Sequence, residues 1–208
     1  MLPLETFSVF FAASVALSLA PGPDNIFVLT QSALFGRSAG LLVTFGLCCG
    51  LIVHTLFVAF GVAAIFQSSS FAFHVLSLFG AAYLSYLAWR SLRAGPGIPA
   101  SQSGDVLTHG QLFLRGLVMN LSNPKVAIFF LAFLPAFTDP DRGSLHVQLI
   151  LLGAVFILAA ALVFSLIAWL SGFLGDYLKR SARAQIIMNR IAGIVFIALA
   201  LRLLMMQH

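Results

Sequence analysis

The chain has 208 residues, 61% of them hydrophobic and 8% charged, with a mean hydropathy of +1.05 and a net charge of +5. Soluble domains carry about 25% charged residues, so this composition excludes a water-soluble protein and describes an integral membrane one, with the lipid bilayer as its solvent. The basic residues form no extended patch and no basic helical face, which excludes nucleic acid as a partner.

Six apolar stretches follow in chain order, roughly 4–35, 40–66, 71–92, 112–137, 147–172 and 187–206. Each is long enough to cross a hydrocarbon core of about 30 Å, which takes about 20 helical residues. The first opens like a signal peptide ending at Leu19-Ala20. It lacks a basic start, carries Glu5 and stays apolar through Ile26 to Leu29, so an uncleaved span is expected. Its middle holds Pro21-Gly22-Pro23-Asp24-Asn25. Prolines without amide hydrogens should break the helix there, with Gly22 allowing the bend. The helix can restart with Pro21 or Gly22 as the flanking residue and Pro23 in its first turn, where proline is favoured.

The second stretch carries Gly46-Leu47-Cys48-Cys49-Gly50, a G-x-x-x-G that permits close helix contact, and His54 continues the same stripe. His54 reads as a hydrogen-bonded packing residue or as a proton relay. Cys48 and Cys49 match neither zinc spacing nor a redox Cys-x-x-Cys, and read as small packing residues. In the third stretch Gly80, Tyr83 and Tyr86 read as packing or interfacial residues, with Trp89 beside Arg90 anchoring the end. A linker rich in Gly, Pro and Ser follows over about 94–110. It divides a single transmembrane domain, 1–208, into repeats of about 1–93 and 111–208. The fourth stretch contains Asn123-Pro124-Lys125, where Asn123 suits an N-cap and Pro124 a first helical position. Ala159-Ala160-Ala161 marks a small-residue contact in the fifth.

Eight of the eleven basic residues lie in or beside loops 1–2, 3–4 and 5–6: Arg37, Arg90, Arg93, Arg115, Lys179, Arg180, Arg183 and Arg190. Arg142 and Arg202 lie on the other face with Glu5, Asp139 and Asp141. The positive-inside rule puts those three loops in the cytoplasm and both termini outside. Three spans per half then enter the membrane in opposite orientations, as in secondary transporters built from inverted repeats. Asp24 lies 13 residues before Arg37, and Lys125 lies 10 residues after Arg115. At 1.5 Å per residue these are about 20 and 15 Å, so both charges fall near the midplane.

A charge at a helix centre costs about 2.5–3.5 kcal/mol on insertion scales. On one reading Pro21 and Pro124 only kink their helices, while Asp24 and Asn123 satisfy helix ends. Lys125 resists that reading, because a cation at a helix N-terminus opposes the dipole. On the other reading the two breaks form a transport site. Lys125 and a half-helix N-terminus hold a carboxylate, and Asp24 attracts an ammonium group, so a zwitterionic amino acid engages both. Pairing of Asp24 with Lys125, or transfer of a coupling proton by Asp24, stays open beside it. No H-E-x-x-H, G-x-S-x-G or P-loop is present, so neither an enzyme nor an ATP-driven pump is expected, and no cofactor or metal.

With its two proline motifs in corresponding halves, the chain resembles the LysE/RhtB family of bacterial amino-acid exporters. The likeness extends to Gly36 and Gly40, the glycine stripe with His54, Gly80-Ala81-Ala82-Tyr83-Leu84, and Asn123 through Phe130 to Phe133-Leu134-Pro135. It departs late in the last stretch, where Ala198-Leu199-Ala200 replaces the family's glycine. The resemblance implies export of amino acids from the bacterial cytoplasm, driven by the proton-motive force. With one acidic residue at mid-membrane depth, neutral amino acids such as threonine, homoserine or leucine are favoured over dibasic ones.

The expected fold is an all-α integral membrane protein of six transmembrane helices in 3+3 inverted repeats, helices 1 and 4 broken by proline, in the bacterial inner membrane. The expected site is Asp24, Asn25, Asn123 and Lys125 at breaks formed by Pro21, Gly22, Pro23 and Pro124, with His54 as a relay. A non-transporting scaffold or accessory subunit is the alternative function, and a homo-oligomer is left open. Reporter fusions after Gln67 and Asp141 should read as outside and one near Gly104 as inside; the reverse pattern contradicts the assigned orientation.

Overall fold

Without water to bond its amides, a chain in lipid must satisfy them internally. The computed structural model, which describes residues 2–62, 70–95, 107–171 and 181–205, is accordingly helical, with no strand among them. Helix α1 (Leu4–Leu19) ends before Pro21, and α2 (Pro23–Phe35) leaves at 62° to it. Helix α3 (Arg37–Phe57) runs into a π-helical turn, Val58–Val62, and α4 spans Ser70–Arg93. The second half opens with α5 (His109–Leu121), then α6 (Pro124–Ile128), which continues through a π-helical turn, Phe129–Phe133, to a 3-10 turn at Pro135–Phe137. The α5 axis and this continuation are bent by 50°. Helices α7 (Leu145–Trp169) and α8 (Ala182–Met205) complete the order.

Three of these helices are long and apolar enough to cross a membrane alone, and the two bent pairs raise the number to five among the described residues. Helix α4, with 24 residues, is about 36 Å long by helical rise. The expected linker lies mostly outside the described residues, as do Gln67, Gly104, Lys179 and Arg180. Its end is a capping box: Gln111 N donates to Thr108 Oγ1, and Thr108 N to Gln111 Oε1.

Helix α3 lies against α5 and α7, α4 against α8, and α1 against α7 and α8. Small residues set the α3–α5 approach. A Cβ on Gly46 would meet the Phe113 carbonyl and stand 2.9 Å from Leu117 N, while one on Gly116 would meet the Val43 carbonyl. Within α1, α2 and α3, hydroxyls turn back onto carbonyls four residues earlier: Ser14 to Phe10, Ser32 to Val28, Thr44 to Gly40 and Thr55 to Leu51. Such back-bonding removes the cost of a hydroxyl in an apolar setting.

Buried phenylalanines fill the space between α1, α7 and the chain after α6. Ring centroids are 5.1 Å apart for Phe10–Phe137, 4.6 Å for Phe129–Phe133 and 5.0 Å for Phe130–Phe156. Pro135, lacking an amide hydrogen, cannot bond the Leu131 carbonyl, and the preceding turn widens so that Leu134 N reaches Phe129 O at 3.2 Å. Arginines pack over rings near helix ends: Arg37 over Trp169 at 4.5 Å, Arg202 over Phe137 at 4.3 Å and Arg93 over Trp89 at 4.9 Å. Trp89 is thus covered by Arg93; Arg90, its expected neighbour, lies over Tyr86.

Because a methyl at Gly46 or Gly116 meets backbone, Gly46→Ala and Gly116→Ala should each lose about 1–3 kcal/mol by overpacking. Gly110→Ala, with nothing within 4 Å, should not. Thermal unfolding of the detergent-purified variants checks this; equal melting of all three would contradict the α3–α5 packing.

Candidate functional site

An α-helix ends with carbonyls that have no intrahelical partner, and in lipid each costs several kcal/mol unless a donor is found. Pro21 and Pro23 worsen this for α1, because the amides that would have bonded Leu17 and Leu19 are missing. Donors arrive from elsewhere. Asn25 Nδ2 donates to Ser18 O at 2.6 Å, tying the start of α2 to the end of α1. Lys125 Nζ donates to Ala20 O at 3.0 Å and Leu17 O at 3.4 Å.

This explains the cation that opposed its own helix dipole. The Lys125 side chain leaves the N-terminus of α6 and lies at the C-terminus of α1, where the dipole is negative. Gly22 makes the approach feasible: a Cβ there would stand 3.0 Å from Nζ and 3.6 Å from Cε. Its backbone is extended, φ −169°, so the requirement is space and not conformation.

The second break repeats the construction with the roles of donor and acceptor exchanged. Asn123 caps α6, its Oδ1 accepting from Lys125 N at 3.0 Å, and Pro124 takes the first helical position. The other end of the same carboxamide, Nδ2, donates to Asp24 Oδ1 at 3.0 Å. Asn120 Nδ2 approaches Asp24 Oδ2 at 3.4 Å. Asp24 is 1% exposed and lies in the first turn of α2, where a negative charge is favourable. Among the described residues no ion pair joins Asp24 to Lys125; each charge is held by polar groups from the opposite half of the chain.

Between them lies a cavity with room for about one water. Its polar lining is Ser18, Asp24, Asn120 and Lys125, and Leu51, Phe156 and Phe164 wall it. Asn25, Asn123, Pro21, Gly22, Pro23 and Pro124 stand at the breaks as predicted, but none lines the cavity. His54 is one step removed: its Nε2 lies 3.4 Å from Asn120 O, and its ring 5.6 Å from that of Phe130. Sequence reading missed Asn120, Ser18 and the α1 carbonyls. Asn120 had a signal, since it stands three residues before Asn123 inside an otherwise apolar stretch. Gly50 gives it room, a Cβ there falling 2.8 Å from Asn120 Cβ. No group of three or more metal-binding side chains occurs among the described residues.

Two broken helices thus present opposite buried charges to one small cavity in a multi-pass membrane protein, and the relatives that the chain matches make its class that of the transporters. The chain belongs to the LysE type translocator family, whose model matches residues 15–207. It is 32% identical over 209 aligned positions to an uncharacterised membrane protein of Pseudomonas aeruginosa, covering 97% of this chain and 96% of the relative. It is also 31% identical to the homoserine/homoserine lactone efflux protein of Salmonella typhimurium over 206 residues, 98% of this chain and 99% of the relative. No solved structure matches the chain significantly.

If Asn123 were only an N-cap, aspartate would replace it without loss. Here aspartate would surrender the donor to Asp24 and set a second carboxylate beside it. Asn123→Ser and Asn123→Asp should therefore both lose at least the roughly 1.5–3 kcal/mol of a hydrogen bond to a charged group, and Asn123→Asp, which adds a carboxylate beside Asp24, should melt lowest. Melting temperatures equal to that of the wild type would refute the bridge.

Proposed function

We propose that this chain exports neutral amino acids or close derivatives from the bacterial cytoplasm, driven by the proton-motive force. The observation that carries the reading is the cavity between the two helix breaks, lined by a buried carboxylate and a buried ammonium. A zwitterion brings no net charge to a place where Asp24 and Lys125 already balance. Its carboxylate draws Lys125 Nζ from the α1 carbonyls, and its ammonium takes the place of the asparagine amides on Asp24. A dibasic amino acid brings an extra cation with no second acid to meet it. The named Salmonella relative exports homoserine and homoserine lactone; both carry an α-amino group and a carbonyl oxygen that Lys125 can address.

In the proposed membrane arrangement α1–α2, α3 and α4 form one inverted repeat, and α5–α6, α7 and α8 the other, giving six spans. The packing supports this, since α3 lies on the broken span of the second half as α7 lies on that of the first, and α3–α7 and α4–α8 are self-matched pairs. Both termini then lie outside the inner membrane. In this arrangement the phenylalanine cluster lies on the outward side of the site and the glycine contacts of α3 with α5 on the inward side. An amino acid does not fit a one-water cavity, so entry requires the half-helices to separate, as alternating access demands. Asp24 carries the coupling proton, and His54 stands beside it with its Nε2 3.4 Å from the Asn120 carbonyl.

The test is counterflow of labelled homoserine, threonine and leucine in proteoliposomes, with and without an imposed pH gradient. At least one amino acid should exchange, the gradient should accelerate net flux, and Lys125→Ala should abolish both. A protein that moves none of the three is better read as a membrane scaffold.

A further inference from the structure

Two of the four polar residues that line the cavity each carry a side-chain oxygen without a hydrogen-bond partner among the described residues. These are Ser18 Oγ and Asn120 Oδ1, both buried. Ser18 is unusual in its own helix half, because Ser14 one turn earlier bonds back to the Phe10 carbonyl at 2.7 Å, as helix hydroxyls in lipid ordinarily do. Asn120 is fixed from both sides, by its Nδ2 on Asp24 and by the space at Gly50 in which it lies. Unpaired buried acceptors are unfavourable, and two beside one cavity mark a place where a donor belongs.

We propose that Ser18 Oγ, Asn120 Oδ1 and the Asp24 carboxylate form a three-acceptor site for the primary ammonium of the transported molecule. The proposal rests on the amino-acid reading above and adds to it the residues that set amine specificity. A primary ammonium has three N–H donors, and the residues that carry these acceptors line one cavity from α1, α2 and α5. Each N-methyl group removes one donor and sets an apolar methyl against an acceptor that is then left unpaired. The transporter should therefore select primary amines and refuse N-methylated and betaine-like analogues of the same side chain.

Labelled L-homoserine counterflow in proteoliposomes, competed by homoserine and by its N-methyl and N,N,N-trimethyl analogues, reads this directly. Wild type should be inhibited at least a hundredfold more weakly by the trimethyl analogue, at about tenfold per hydrogen bond lost to a charged group. Ser18→Ala and Asn120→Leu should each weaken homoserine about tenfold and the trimethyl analogue far less, so the preference narrows. The ratio is taken within one protein, so a general loss of folded transporter leaves it unchanged. If a variant fails to fold, ligand-induced thermal shifts of the wild type by the same analogues give the discrimination independently. Equal inhibition by all three compounds in wild type, or an unchanged ratio in both variants, overturns the ammonium site while leaving the exporter standing. A wild-type protein that exchanges no amino acid overturns the exporter and the site together.

Discussion

Everything at the centre of this molecule follows from the C-terminus of α1, where a helix stops inside lipid with its carbonyls unbonded. Pro21 and Pro23 remove the chain's own amides from the task, and water is not available to replace them. The donors that remain are side chains, Asn25 from the next half-helix and Lys125 from the other half of the protein. Once Lys125 is committed to those carbonyls, Gly22 must be small and Asn123 must cap the helix that carries it. Asp24 is then the buried negative charge that balances the ammonium across the cavity. One structural deficit accordingly recruits a charge from each half of the chain.

That arrangement makes each half of the chain depend on the other for its helix ends. Asp24 from the first half is held by Asn120 and Asn123, and the α1 carbonyls are held by Lys125. In the proposed transport cycle, substrate that engages either charge displaces a contact between the halves. Binding and the relative movement of the two breaks are in this way the same event, which is what coupling a solute to a conformational change requires. Phe129, Phe130 and Phe133 pack together one to two turns beyond Lys125 on the continuation of the same helix. A widened π-helical turn carries those rings, and such turns recur at functional sites.

Much of this was legible in the sequence. The apolar stretches, the two breaks, the cap at Asn123 and the pairing of Asp24 with Lys125 at one depth all follow from helical rise and from proline chemistry. The direction of the Lys125 side chain did not follow. Its position at a helix N-terminus gave it the wrong sign locally, and only the tertiary approach of α1 supplies the negative pole that it meets. Asn25, taken for a site residue, gives its Nδ2 to the Ser18 carbonyl, while its Oδ1 is buried without a partner among the described residues. Asn120 and Ser18 were passed over. Polar residues without charge are common in membrane helices, and their significance lies in being unpaired, which no one-dimensional pattern records.

The central claim is that Asp24 and Lys125, although not in contact, compensate one another across a shared buried cavity. A double-mutant cycle on thermal stability, with Asp24→Asn, Lys125→Met and both together, measures it most directly. Each single variant leaves one buried charge without its counterpart, a loss of about 3–5 kcal/mol, while the double variant removes both charges and should be more stable than either single. Additive losses, with the double variant the least stable of the three, would show that the two charges act independently and would contradict the account.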